Sequence, residues 1–188
     1  MEDTIDKVIR SYAVRGFYVK VLHVDIQFKA IRDRERVGAI SNVVSRAEHV
    51  PEIERFIRVL KERARCYFAM LSEAEIDTLP RTLVIHLMIT VNFYIDTFVW
   101  RRGMSQILPP ATIVEGLVID YDKYFHVIFG EYTHTYEGTT NDMKSRTVGS
   151  LALGPSGNVQ GGIRCYSLHT GKVLHRQSAD VTILKMDT

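Results

Sequence analysis

Near the start of the chain, Ile5, Val8, Ile9 and Tyr12 fall on one side of a segment that the helical period predicts from Asp3 to Arg15, with Gly16 as its stop. The period then shortens. Phe17 to Val24 is β-branched and apolar, short enough for a buried strand, and it ends at Asp25. Phe28 to Arg36 reads as a short helical or irregular crossover, and Gly38 to Val44 as a second strand parallel to the first. A longer helix opens at Pro51 and runs to about Leu71, with Ile53, Ile57, Leu60 and Ala64 at the spacing of a core-facing side. This β-α-β-α order is the grammar of an open α/β sheet.

A second long helix is predicted after Pro80, ending near Gly103, with Pro109 and Pro110 closing the segment and one helical turn over Ala111 to Gly116. Its stretch Leu83 to Trp100 is apolar but interrupted by His86, Asn92 and Asp96. A charge near mid-bilayer costs about 2.5–3.5 kcal/mol, so a helix buried between other elements fits better than a membrane span. Beyond Phe125 the texture changes again. Val127 to Tyr136, Arg146 to Leu153, Gly162 to Leu168 and Val173 to Arg176 read as short strands. Turn signals separate them at Gly138 with Asn141-Asp142, at Gly154-Pro-Ser-Gly-Asn158 and at Thr170-Gly171, a spacing that predicts a small antiparallel barrel.

Composition changes this picture little. The chain has 188 residues, 46% hydrophobic and 24% charged, which suits one core or two small ones. A formal net charge of +2 provides no global field for nucleic acid, so such a partner would be met by local patches. Cys66 and Cys165 stand alone, without a CxxC pair, which argues against a disulfide framework or zinc site and fits a reducing compartment. The first residues lack an apolar signal region.

The chemistry concentrates on the Pro51 helix. Proline suits the first helical position, and Glu52 and Glu54 are favoured beside the positive end of the helix dipole. Glu54, Arg58, Lys61 and Arg65 recur at i, i+4, i+7 and i+11, so one carboxylate heads a basic face. Such a face is often only solvated, its i, i+4 pairs contributing tenths of a kcal/mol. Asp25, at a strand end, gives it a second acid. Strand C-termini and helix N-termini of an open α/β sheet converge on one crevice, where two carboxylates could hold a divalent metal. Glu48 and Glu52 compete with Glu54 for that position. The seven histidines share no ligand spacing and read as structural or exposed. Asp96 reads as a partnered or rim acid, Asp33 and Asp120 as loop acids, and Trp100 with the aromatic residues of the barrel as core. Lys172 and Arg176 are candidates for a further basic patch.

These residues resemble the integrase of copia-type retrotransposons. His23-Val-Asp25-Ile-Gln-Phe28 looks like that family's second catalytic aspartate and its nearby Phe, and Glu54-Arg55 with Ile57-Arg58 like the Glu-Arg-x-x-Arg that opens its catalytic-glutamate helix. On that match Glu54 is preferred over its neighbours. Pro110-Ala-Thr-Ile-Val-Glu-Gly116 is similar to the family's linker segment, Phe129-Gly-Glu-Tyr132 to its Phe-Gly-x-x-Tyr strand, and Leu153 to Lys172 to the hairpin of its SH3-like domain. The blocks follow the family's order over nearly the whole chain.

The resemblance implies a partial ribonuclease H-like core over residues 1–75, a helical connector over 76–124 and an SH3-like β-barrel over 125–188. It implies catalytic and metal-binding roles for Asp25 and Glu54, with Mg²⁺ or Mn²⁺ as cofactor, and DNA contacts for Arg55, Arg58, Lys61 and Arg65. Partners would be DNA and other integrase protomers in a homo-oligomer, with no membrane, in the nucleus or a cytoplasmic particle. The departures are equally specific. No residue ahead of Asp25 matches the first catalytic aspartate, the zinc-binding His/Cys domain has no counterpart, the Asp25–Glu54 interval is short, and Ile26 stands where the family has Gly. The chain therefore reads as a fragment cut through the catalytic core, with an exposed sheet edge and without strand transfer of its own. A non-enzymatic nucleic-acid or protein interaction module is the alternative.

Overall fold

A computed structural model of the chain describes residues 2–25, 40–44, 50–72, 78–101, 103, 105–138, 141, 143 and 145–183. It is mixed α/β and contains a five-stranded antiparallel sheet. Two compact units form: Met1–Arg58 with Asp96–Val118, and Val59–Ile95 with Ile119–Thr188.

In the first unit, helix α1 (Glu2–Ala13) precedes strand β1 (Val21–Asp25), which pairs in parallel with β2 (Ile40–Val44), Asp25 lying opposite Val44. The parallel pairing agrees with the pattern of the sequence. β1 starts four residues later than the apolar run beginning at Phe17, because Phe17 serves α1 instead. Its N–H donates to the Tyr12 carbonyl at 3.1 Å, and its ring meets Tyr12 edge-on at 6.5 Å. The predicted crossover from Phe28 to Arg36 lies outside the described residues, as do Gly38 and Ala39. The proline pair opens a short helix, α4 (Pro110–Glu115), which Gly116 ends in the left-handed region at φ 67°. The Arg15 guanidinium donates to the Glu115 carbonyl and lies so close to Gly116 that any Cβ there would collide with it.

Between these elements run α2 (Pro51–Ser72) and α3 (Arg81–Thr97). Burial along the apolar side of α2 rises toward its C-terminus. Leu71 is buried and Leu60 and Ala64 half-buried, whereas Ile53 and Ile57 are 48% and 42% exposed, so these two do not face a core as their spacing predicts. α3 stops at Thr97, short of the expected end near Gly103, where the chain turns so that Gly103 N–H bonds the Trp100 carbonyl at 3.0 Å. Nor is α3 enclosed on all sides. Leu83, Leu87 and Val91 are buried at four-residue spacing, while Val84, Ile85 and Ile89 on other sides are exposed.

The second unit is built on the antiparallel sheet, ordered β6 (Val173–Arg176), β5 (Ile163–Ser167), β4 (Thr147–Pro155), β3 (Tyr132–Tyr136) and β7 (Val181–Ile183). Among the described residues β6 and β7 are its two edges. β7 and the four-residue helix α5 (Tyr121–Tyr124) are elements the sequence pattern misses. Asp120 is a helix cap and not a loop acid: its carboxylate accepts from Lys123 N–H at 3.3 Å. β3 begins at Tyr132, five residues later than the alternation predicts, because Ile128 to Glu131 form a turn closed by Glu131 N–H on the Ile128 carbonyl. Val127, Ala152, Ile163 and Cys165 form a buried cluster against which Val181 and Ile183 pack. A second apolar cluster brings Tyr67 of α2 and Phe93 and Tyr94 of α3 together with Tyr124 and Phe125, ring centroids 5.1–6.3 Å apart.

Between Ala152 and Gly154 the β4–β5 register slips by one residue. Such a bulge leaves a residue out of the ladder. Here it is Leu153, fully buried, and its carbonyl accepts a hydrogen bond from the Thr90 hydroxyl of α3. Gly154 takes up the kink at φ 94°, and a Cβ there would come within 2.6 Å of Thr90 Cγ2. Gly154→Ala therefore combines left-handed strain with overpacking and should cost about 2 kcal/mol or more in urea denaturation. At Gly138 an added Cβ meets nothing within 4 Å, so Gly138→Ala should stay within about 0.5 kcal/mol of the parent.

Candidate nucleic-acid interface

α2 is helical from its first residue because Pro51 occupies the position where an N–H is not needed and Glu52 and Glu54 lie in the first turn, with Glu54 N–H bonding the Val50 carbonyl at 3.1 Å. At 100° per residue Glu54, Arg58, Lys61 and Arg65 fall within a sector of about 60°, and Arg58 to Arg65 span about 10 Å of helix axis. All four side chains are exposed, as is Arg55, which points about 100° away from Glu54. Among the described residues none of the four cations Arg55, Arg58, Lys61 and Arg65 has a hydrogen-bond or ion-pair partner. The face is thus a row of solvated positive charge headed by one carboxylate.

Asp25 is the last residue of β1, at the carboxyl end of a parallel strand, and its side chain lies outside the described residues. Glu54 sits in the first turn of α2 and Glu52 is exposed beside it, while Glu48 is outside the described residues. Among the described residues no group of three or more His, Cys, Asp or Glu is placed to hold a metal ion. Of Asp25 and Glu54, the two acids that the resemblance assigns to a metal, Glu54 alone has its side chain among the described residues.

The histidines have separate environments. His23 lies 3.2 Å from the Asn42 amide, His126 Nε2 is 2.8 Å from the Ser178 hydroxyl, and His134 Nε2 is 3.2 Å from the Tyr132 hydroxyl. Tyr132 and Tyr136 are not core residues, being 37% and 38% exposed on the outer side of β3, while Thr133 and Thr135 point inward. His134, Tyr136, Thr147, Asp180 and Thr182 line a hollow of about 270 Å³ on that side. Arg176 is paired with Glu137 at 3.1 Å, and Lys172 is exposed.

One group escapes the sequence pattern. Arg164, on β5, is only 7% exposed. Its Nε–H donates to the Pro155 carbonyl at 3.2 Å and its Nη2 to Thr90 Oγ1 at 3.0 Å, while Nη1 lies 3.5 Å from His86 Nδ1. The available signal was an arginine inside a strand whose other positions are apolar or small. Burial lowers the Arg164 pKa, and burial, then Arg164 and His175, lower that of His86. Burial also raises the phenols of Tyr94 and Tyr67, so Tyr94, the other group coupled to Arg164, stays neutral.

No protein-family model matches the chain, and no curated protein matches it. Among the described residues no helix is long and apolar enough to cross a membrane.

The two cysteines differ in a way that reports on α2. Cys66 follows Arg65 and is exposed, whereas Cys165 is buried, and burial pushes its thiol pKa up. A disulfide reagent at pH 8 should modify one equivalent rapidly in the native chain and the second only on unfolding. Cys66→Ser should remove the fast phase alone.

Proposed function

We propose that this chain is a copia-type integrase remnant that binds DNA along the exposed basic face of α2 and performs no strand transfer by itself. The observation that carries the reading is the alignment of Arg58, Lys61 and Arg65 on one solvent-facing side of a helix, with Arg55 beside them and no ion pair to other described residues. Three cations over about 10 Å suit the phosphates of one strand, spaced 3.4 Å along the duplex axis, and they read charge with little choice of sequence. The parallel β1–β2 pair followed by α2 supports a partial ribonuclease H-like core, and the antiparallel sheet after it is consistent with an SH3-like domain.

In an intact relative, Asp25 and Glu54 together with a further aspartate would hold Mg²⁺ or Mn²⁺, which stabilises the attacking and leaving oxygens of an in-line displacement. Two carboxylates hold such ions less completely, so this chain acts through binding and not through chemistry. Its partners on this reading are DNA and integrase protomers, in the nucleus or a cytoplasmic particle. The second reading, a non-enzymatic interaction module, is favoured by the hollow beside Tyr136 and His134, which could receive a partner without any basic face.

Duplex binding measured across salt concentrations separates the two. Each phosphate contact removed should lower the slope of log K against log salt by about 0.9, so Arg58→Ala with Lys61→Ala should lose nearly two units of slope, and unchanged binding would remove α2 from the interface. A Mn²⁺-dependent strand-transfer assay should give no product with this chain. Product that disappears in Glu54→Gln would overturn the view that the chemistry is lost.

A further inference from the structure

Arg164 is a guanidinium held almost wholly out of water, and among the described residues no anion bonds it. Among the described residues its partners are the Pro155 carbonyl, the Thr90 hydroxyl and the His86 ring nitrogen, all uncharged. A guanidinium has five N–H groups, and three are used here, which leaves one on each terminal nitrogen. Because arginine can only donate, His86 Nδ1 must accept, which puts the His86 proton on Nε2 and makes that atom a donor.

His175 on β6 lies directly opposite Arg164 in the β5–β6 register, so the two side chains emerge on the same face of the sheet, the one facing His86 of α3. His175 is exposed and β6 is an edge strand, so the group is open to solvent from that side. His86 is also electrostatically coupled to both Arg164 and His175. One buried cation thus has an imidazole within reach on α3 and a second opposite it on the β5–β6 ladder, and among the described residues no acid bonds it. Desolvating a charge without a counter-charge costs several kcal/mol, and a bound anion relieves that cost. A tetrahedral oxyanion matches a pair of guanidinium N–H groups and two ring N–H groups better than a planar carboxylate, because its oxygens diverge toward several donors.

We propose that Arg164, His86 and His175 form a phosphate-binding site on the α3 side of the sheet, distinct from the basic face of α2. The same chemistry would receive a free phosphate, a phosphomonoester or a single phosphodiester of a nucleic-acid strand. The site does not depend on the integrase reading, since it uses none of the α2 cations.

Thermal unfolding of the full chain in inorganic phosphate, against chloride at equal ionic strength, tests it. Stabilisation should be saturable in the parent and at least about fivefold weaker in affinity in His86→Ala with His175→Ala, which removes two donors but keeps the buried guanidinium. NMR of the parent should show the ring resonances of His86 and His175 moving saturably as phosphate is added. Arg164→Lys provides a second variant that retains the charge but not the fork, and it should also bind more weakly. Thymidylyl-thymidine, with one phosphodiester, identifies the source: competition with phosphate assigns the site to a nucleic-acid backbone, and its failure while phosphate binds assigns it to free phosphate or a monoester. No saturable effect of phosphate, or equal affinity in parent and double variant, would overturn the proposal. Either result leaves duplex binding by α2 to be judged separately, by Arg58→Ala and Lys61→Ala.

Discussion

The bulge at Leu153 is the constraint on which the second unit depends. A strand in regular register would satisfy the Leu153 carbonyl within the sheet, but the slip between Ala152 and Gly154 takes it out of the ladder while its side chain stays fully buried. An unsatisfied buried carbonyl costs about 1–3 kcal/mol, and Thr90 meets it from α3. Thr90 in turn accepts from Arg164, which also holds the Pro155 carbonyl one residue past Gly154. Apolar packing of Leu83, Leu87 and Val91 tolerates sliding along a helix axis. A hydroxyl that must reach one particular carbonyl does not. Packing thus provides the attraction, and the Thr90–Leu153–Arg164 chain of hydrogen bonds sets the register.

A second set of hydrogen bonds fixes the turn between β4 and β5. Asn158 Oδ1 accepts from Gly162 N–H at 2.6 Å, and the Asn158 carbonyl accepts from the Tyr124 hydroxyl at 2.7 Å. Lys123 reaches the Val159 carbonyl and lies where a side chain on Gly161 would otherwise sit. The short helix α5 therefore clasps the turn that Gly154 begins. These are requirements of the turn's own hydrogen bonds, its tip from Gly157 to Gln160 being exposed, and they account for Asn158 and Gly161 without any role in binding.

The elements that were legible in the sequence are those set by local pattern: α1 before Gly16, the parallel strands, α2 from Pro51, and most strands of the sheet. Boundaries shifted where a tertiary contact took residues away, as when Phe17 closed α1 onto Tyr12 instead of extending β1. Ile53 and Ile57 had the right spacing for a core, but spacing predicts a face and not what covers it. β7 has only three residues, too few for alternation to register. The exposed basic face of α2 could be read directly, because solvated side chains need no partner to be placed. Arg164 could not, because its meaning comes from Thr90 and His86, more than seventy residues away in sequence.

Exposed and buried cations do different work, and this separates the two candidate sites. Charges on α2 are screened by salt and contribute little to stability, so they can change with small effect on the fold while still steering a polyanion. Arg164 is screened little and is bonded into the hydrogen-bond chain that sets the helix register, so any anion it receives is felt by the fold itself. A ligand there would stabilise the native state, with the logarithm of its concentration over its Kd. Binding along α2 would depend steeply on salt. If both operate, the chain meets a phosphate backbone through two mechanisms whose responses to salt and to folding differ, and their independence follows from burial alone.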